Sequence, residues 1–246
     1  MKTQSLIPLL FALTFAGSAR GQEASKLIDP KAKAVLEKSI EALGGKEAMA
    51  NIKTRTAKGK IEMPAQGLSM SLEIKQKAPL SFYSKAVIPE LITAEQGFNG
   101  EEGWSKDTIQ GFRKLAGAEL AQAKENSAMF YEQLILENLA EAKTLPDSAN
   151  GDQKLSVIEV KTEDESTKTL YFDQDTHLLA RVVSKTILGP DSEMDTDMLV
   201  SDYKEIDGVK VATSVTMTTG PQKIIMKMSD IEHNKEIDDE VFKMEK

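Results

Sequence analysis

Residues 67–76 read GLSMSLEIKQ, and their side chains alternate almost without a slip. Leu68, Met70, Leu72 and Ile74 share one face of an extended strand, while Ser69, Ser71, Glu73 and Lys75 share the other. The stretch before it, AKGKIEMP (57–64), keeps the same period, with Arg55, Gly59, Ile61 and Met63 on one parity. The habit returns late in the chain. Val209, Val211, Val215 and Met217 oppose Lys210, Ser214 and Thr216, and Ile224, Met226 and Met228 oppose Lys223 and Lys227. Leu178, Ala180 and Val182 oppose Arg181 and Lys185, although Leu179 and Val183 blur that strand. One dry face and one wet face are what an antiparallel sheet covered on a single side requires.

Working outward, strand-like runs occupy 54–64, 68–77, 80–88, 91–98, 101–107, 154–163, 166–173, 177–188, 197–206, 209–219 and 222–231. That makes about eleven strands, mostly in adjacent hairpins. Asn99-Gly100 and Asp207-Gly208 are hairpin signals, and Gly220-Pro221 marks a further turn. A helix opens this body: Ile28, Ala32, Val35, Leu36, Ile40 and Leu43 recur at helical spacing, between Asp29-Pro30 and Gly44-Gly45. KEAMANI (46–52) adds a short turn, residues 116–142 turn Ala-, Glu- and Leu-rich and read as one or two helices, and PDSANGDQ (146–153) reads as a loop. No Pro- or Ser-rich linker divides the chain, so residues 22–246 are expected to form one domain, mainly β with helices, the sheet curling round them as a partial barrel.

The first residues read as an address. Lys2, the apolar run LIPLLFALTFAG (6–17) and the small residues of GSA (17–19) make an export signal, cleaved after Ala19 or after Gly21. The run is too short to span a bilayer comfortably. There is no cysteine, which excludes disulfides, thiolate metal sites, a Cys nucleophile and a lipid-modified Cys at the cleavage point. The formal charge of −8, with no basic cluster, argues against nucleic acid.

Catalytic chemistry has little to stand on. His177 lies in a turn-like DQDTHLL and His233 near the end, without a second His at ligand spacing, so both read as exposed or capping residues and no metal is expected. Asp238-Asp239-Glu240 reads as a solvated run, and Asp173 and Asp175 bracket a turn that Asp side chains serve. No nucleophile elbow, phosphate-binding loop or dinucleotide fingerprint occurs, so no enzyme and no cofactor are expected. GFNGEEGW (97–104) either presents Trp104 to a ligand or is a hairpin followed by a core Trp, and the second is preferred.

Together, the signal, the leading helix, the many hairpins, YFDQDTHLLARVV (171–183), SDYKEIDGVKVATSVTM (201–217) and the Gly-Trp hairpin resemble the periplasmic lipoprotein-carrier (LolA-like) superfamily, over roughly residues 30–245. The resemblance implies an incomplete, curled antiparallel β-barrel closed by helices, with an apolar cavity for acyl chains of lipids or lipoproteins. It also implies a periplasmic, soluble, non-catalytic carrier that meets membrane-protein donors or acceptors only transiently and delivers cargo towards the outer membrane. The cavity candidates are Ile61, Met63, Met70, Leu72, Ile74, Phe82, Trp104, Val182, Val215, Met217, Met226 and Met228, though such residues equally fill an ordinary core. Narrow carriers hold their helical lid with the Arg of an Arg-Pro pair. Here the corresponding stretch is Lys77-Ala78-Pro79, and a Lys is a point charge without the guanidinium fork. Arg55 is the inward-facing Arg on its strand, either a substitute lid-holding charge or a strand-end charge. The alternative reading is an envelope sensor or scaffold that binds a protein partner with the same fold.

Overall fold

The computed structural model describes residues 27–163, 166–189 and 192–244, so the expected export signal and both expected cleavage points lie outside the described residues. Chain order begins with two helices, α1 (Pro30–Ala42) and α2 (Gly45–Asn51). Six strands follow: β1 (Thr54–Met63), β2 (Leu68–Lys77), β3 (Ser81–Ile88), β4 (Ile92–Phe98), β5 (Gly103–Asp107) and β6 (Gly111–Lys114). After α3 (Gly117–Ser127) and α4 (Tyr131–Glu137) come β7 (Leu139–Asn150), β8 (Gln153–Thr162), β9 (Thr167–Asp173), β10 (Leu179–Gly189), β11 (Ser192–Ile206), β12 (Val209–Thr219) and β13 (Gln222–His233).

All thirteen strands lie in one antiparallel sheet, ordered β6-β5-β4-β3-β2-β1-β13-β12-β11-β10-β9-β8-β7. Two sequential meanders, β1–β6 and β7–β13, are thus joined where β1 pairs with β13. The sheet curls but does not close, and its edges are β6 and β7.

The helices form where their sequence dictates and all pack on one face. Asp29 caps α1 by accepting a hydrogen bond from Lys31 N, with Pro30 in the first turn. Ala32, Leu36 and Ile40 are buried along its inner stripe. Gly44, at φ 124°, stops it against the β11–β12 turn, where an added Cβ would sit 2.3 Å from the Gly208 carbonyl oxygen. Three apolar clusters result on that inner face. One lies between α1, α4 and β7–β10, around Leu36, Ile135, Ile158, Leu170 and Phe172. A second lies around Ile40, Met49, Ile52, Val209 and Val211. The third sits under α3, around Phe82, Phe98, Leu115 and Ala123. On the outer face the C-terminal segment packs Phe242 against Tyr83 and Trp104.

Among the described residues the count of about eleven strands becomes thirteen. The two additions are β6, four residues long, and β7, which begins in an Ala/Glu-rich stretch and continues through Pro146. β7 is an edge strand, where a missing N–H is tolerated, and its register slips between Leu145 and Ser148, on either side of that proline. The expected loop over 146–153 therefore shrinks to the Gly151-Asp152 turn. The expected helical region ends at α4, before β7. The Asn99-Gly100 hairpin closes over four residues, Asn99–Glu102: Asn99 N–H donates to the Glu102 carbonyl, and the Asn99 side chain accepts from Glu101 and Glu102 N–H. Asp207-Gly208 makes a two-residue turn, with Ile206 paired to Val209. Leu178 and Leu179 are both buried because the β9–β10 register shifts between Leu179 and Arg181.

Candidate functional site

Paired residues of antiparallel strands point to the same side of a sheet, so the register defines the inner face. One continuous row crosses five strands: Met70 pairs with Ile61, Ile61 with Met226, Met226 with Val215, and Val215 with Val200. A neighbouring row runs Ile224, Met217, Met198 and Val182. Gly59 separates Leu72 from Met228, Met63 faces Leu68, and Ala57 faces Ile74.

Burial divides these residues. Met70, Leu72, Phe82 and Val182 are buried, Phe82 under α3 and Val182 in the α1 cluster. Ile74 is half-buried beside Phe82. Ile61, Met63, Val215, Met217, Met226 and Met228 are only half-buried and join none of the buried apolar clusters. Between the ends covered by α3 and by α1, the middle of the inner face is thus a strip of half-exposed apolar side chains, the trough of the curled sheet. Methionine suits such a surface because its unbranched, polarizable side chain adapts to varied shapes.

Trp104 does not belong to it. It pairs with Gly97 on the outer face, its Nε1–H donates to the Phe242 carbonyl at 3.1 Å, and its ring packs 6.2 Å from that of Tyr83. The four-residue loop sets that parity.

The two charges singled out as lid-holding have different surroundings. Lys77 is partly exposed and pairs with Asp239 of the C-terminal segment. Arg55 is buried, and burial brings its guanidinium down to about 10. Its Nη1 donates to the Met129 carbonyl at 2.8 Å, and its Nε donates to His233 Nε2 at 3.1 Å. Its guanidinium carbon lies 5.1 Å from the centre of the Phe130 ring. Met129 and Phe130 form the connector between α3 and α4. Gln76, opposite Arg55 on β2, donates to the carbonyl of Asn126 in the last turn of α3 and to that of Ala128 in the connector. Lys168 on β9 pairs with Glu125 of α3 and lies over the ring of Tyr131. Three inward polar side chains therefore strap the α3–α4 segment over one end of the trough.

His233 is not the exposed residue expected from the sequence. Its side chain is fully buried, because β13 sits mid-sheet against β1. His177 is exposed, and Asp173 serves the β9–β10 turn by accepting from Asp175 and Thr176 N–H. Asp238 to Glu240 are exposed, Asp238 capping the short turn that follows. Gln76 and Lys168 were not singled out by sequence, and the inward parity of a lone polar residue on a dry face was the available signal. Two depressions lie away from the trough. One, of about 280 Å³, lies between α2, Pro79 and the α3–α4 connector, and the other, of about 260 Å³, lies between α1 and the β9–β10 turn.

No family model matches the sequence, and no curated protein matches it significantly. Solved structures do. A DUF1329-family protein from Desulfovibrio piger aligns at a TM-score of 0.61 and 12% identity, over 86% of this chain and 97% of its own. A LolA-superfamily protein from Nitrosomonas europaea aligns at 0.60 and 13%, over 87% and 97%. The chain has the LolA-superfamily fold. A domain from Vibrio parahaemolyticus named for outer membrane lipoprotein sorting aligns at 0.57 and 14%, over 84% and 97%. At such identities it is the LolA-like architecture that is shared, and the trough and its straps are read from this chain's own residues.

Proposed function

We propose that this protein is an exported, non-catalytic carrier that binds acyl chains of lipids or lipoproteins in the trough and delivers them towards the outer membrane. The half-buried apolar row from Ile61 through Met226 to Val215 carries the reading, since a sheet face left uncovered in the middle of a folded domain is a surface awaiting an apolar partner. Each methylene withdrawn from water is worth about 0.8 kcal/mol, so a chain of a dozen gains on the order of 10 kcal/mol gross. An open trough strapped at one end returns part of that gain, which lets cargo leave. The export signal expected from residues 2–19 supports work in the periplasm, and among the described residues no helix is long and apolar enough to cross a membrane.

Native mass spectrometry of protein purified from the envelope of an expressing bacterium tests the proposal. Co-purified lipid is expected, with at least tenfold weaker retention in Met226→Asp, whose charge would lie in the row while its half-exposed position spares the core. A folded, empty protein that also refuses fluorescent fatty acids would overturn the carrier reading and turn attention to protein partners.

A further inference from the structure

We propose that His233 is the positioning residue that aims Arg55 at the α3–α4 connector, and that protonation of His233 releases the connector. Its use in cargo exchange rests on the carrier reading, whereas the switch itself does not.

The bond directions fix the protonation state. Arg55 Nε carries a single N–H and gives it to His233 Nε2 at 3.1 Å, so Nε2 must present a lone pair. The imidazole is then neutral, with its proton on Nδ1, which lies 3.2 Å from an Asp207 carboxylate oxygen without completing a hydrogen bond to it. A proton added at Nε2 removes the acceptor and sets two cations 3.1 Å apart in a buried site. The same rigid guanidinium bonds Met129 and covers Phe130, so losing its Nε partner disturbs every contact it makes with the connector.

The charged groups acting on His233 are Arg55, from β1, and Asp207, from the β11–β12 turn. Glu132 of α4 acts on Tyr203 instead. Burial and Arg55 hold His233 below its ordinary value of 6.5, and Asp207 pulls weakly the other way. The side chain of Asp207 is 61% exposed, so solvent screens that pull. A depressed imidazole is neutral when latched and takes up its proton more readily once released. The latch therefore holds above pH 6.5 and is lost as pH falls through the lowered value.

The test uses 19F NMR of the whole protein carrying fluorophenylalanine, with the Phe130 signal assigned by its loss in Phe130→Leu. As pH is lowered from neutral, the Phe130 signal is expected to titrate with a midpoint below 6.5. His233→Gln keeps an acceptor for Arg55 but cannot titrate, and its signal should stay flat. Asp207→Asn keeps a residue tolerant of the turn's positive φ and removes only the charge, so its midpoint should move lower. Release of a fluorescent fatty acid should be on the order of tenfold faster at the acid end. A Phe130 signal that does not titrate, or that titrates unchanged in His233→Gln, overturns the proposal. Titration in a protein that binds no fatty acid upholds the switch and removes the carrier reading.

Discussion

Glu132 is a carboxylic acid buried at 5% exposure on α4, and among the described residues no cation offsets the cost of that burial. Its group is pushed up to about 7 by burial, against which a hydrogen bond from its own backbone N–H acts. A raised value means that the fold prefers the protonated acid. The stability it contributes is fully present below the ordinary carboxylate value of 4.5 and is lost as pH rises through about 7. Glu132→Gln should accordingly raise unfolding stability at pH 8 by up to about 3 kcal/mol and change it little at pH 4, as read from urea midpoints. Arg55 is the opposite case, a buried cation with every neighbour chosen for it. Arg55→Lys keeps the charge but cannot reach Met129, His233 and the Phe130 ring together. Thermal unfolding should show a loss of about 2–4 kcal/mol. The inward direction of Arg55 is legible in the alternation of 55–63. What it holds is not, because Met129 and His233 lie 74 and 178 positions away, beyond the reach of any local pattern.

Strands whose faces differ in polarity declare themselves, and β2 is the clearest. β7 does not, because helix formers begin it and a proline interrupts it; its identity comes from pairing with β8 and from Ile28, which bridges to Ala142 on its free side. β6 is too short to show a period. The β4–β5 hairpin is visible in its Asn-Gly, yet the face of Trp104 depends on the loop length, which the dipeptide alone misstates. That hairpin also carries a tight fit. Trp104 lies over Gly97, where an added Cβ would come within 2.3 Å of the indole. Gly97→Ala should therefore displace the ring from Tyr83 and Phe242 and cost about 1–3 kcal/mol. Because Trp104 is the chain's only tryptophan, its emission should shift to the red in the same variant while the inner-face trough still binds.

At the scale of the molecule, the sheet order follows chain order except at β1 and β13. Every other neighbouring pair is a hairpin or a short connection that forms from nearby residues. The seam between β1 and β13 is the sheet's single long-distance join, and it carries Arg55 on one side and His233 on the other. A chain emerging from synthesis or export can fold each meander locally, but the seam must wait for the last strand to arrive. Bringing such distant segments together costs loop entropy before any contact repays it, so joining is the slow step. Pulse-labelled hydrogen exchange during refolding should find the amides of β1 facing β13 protected last, after those between β8 and β9. The Arg55–His233 contact would then be absent from every partly folded intermediate, and a nascent chain would show its greasy face to the folding machinery until its final strand docked.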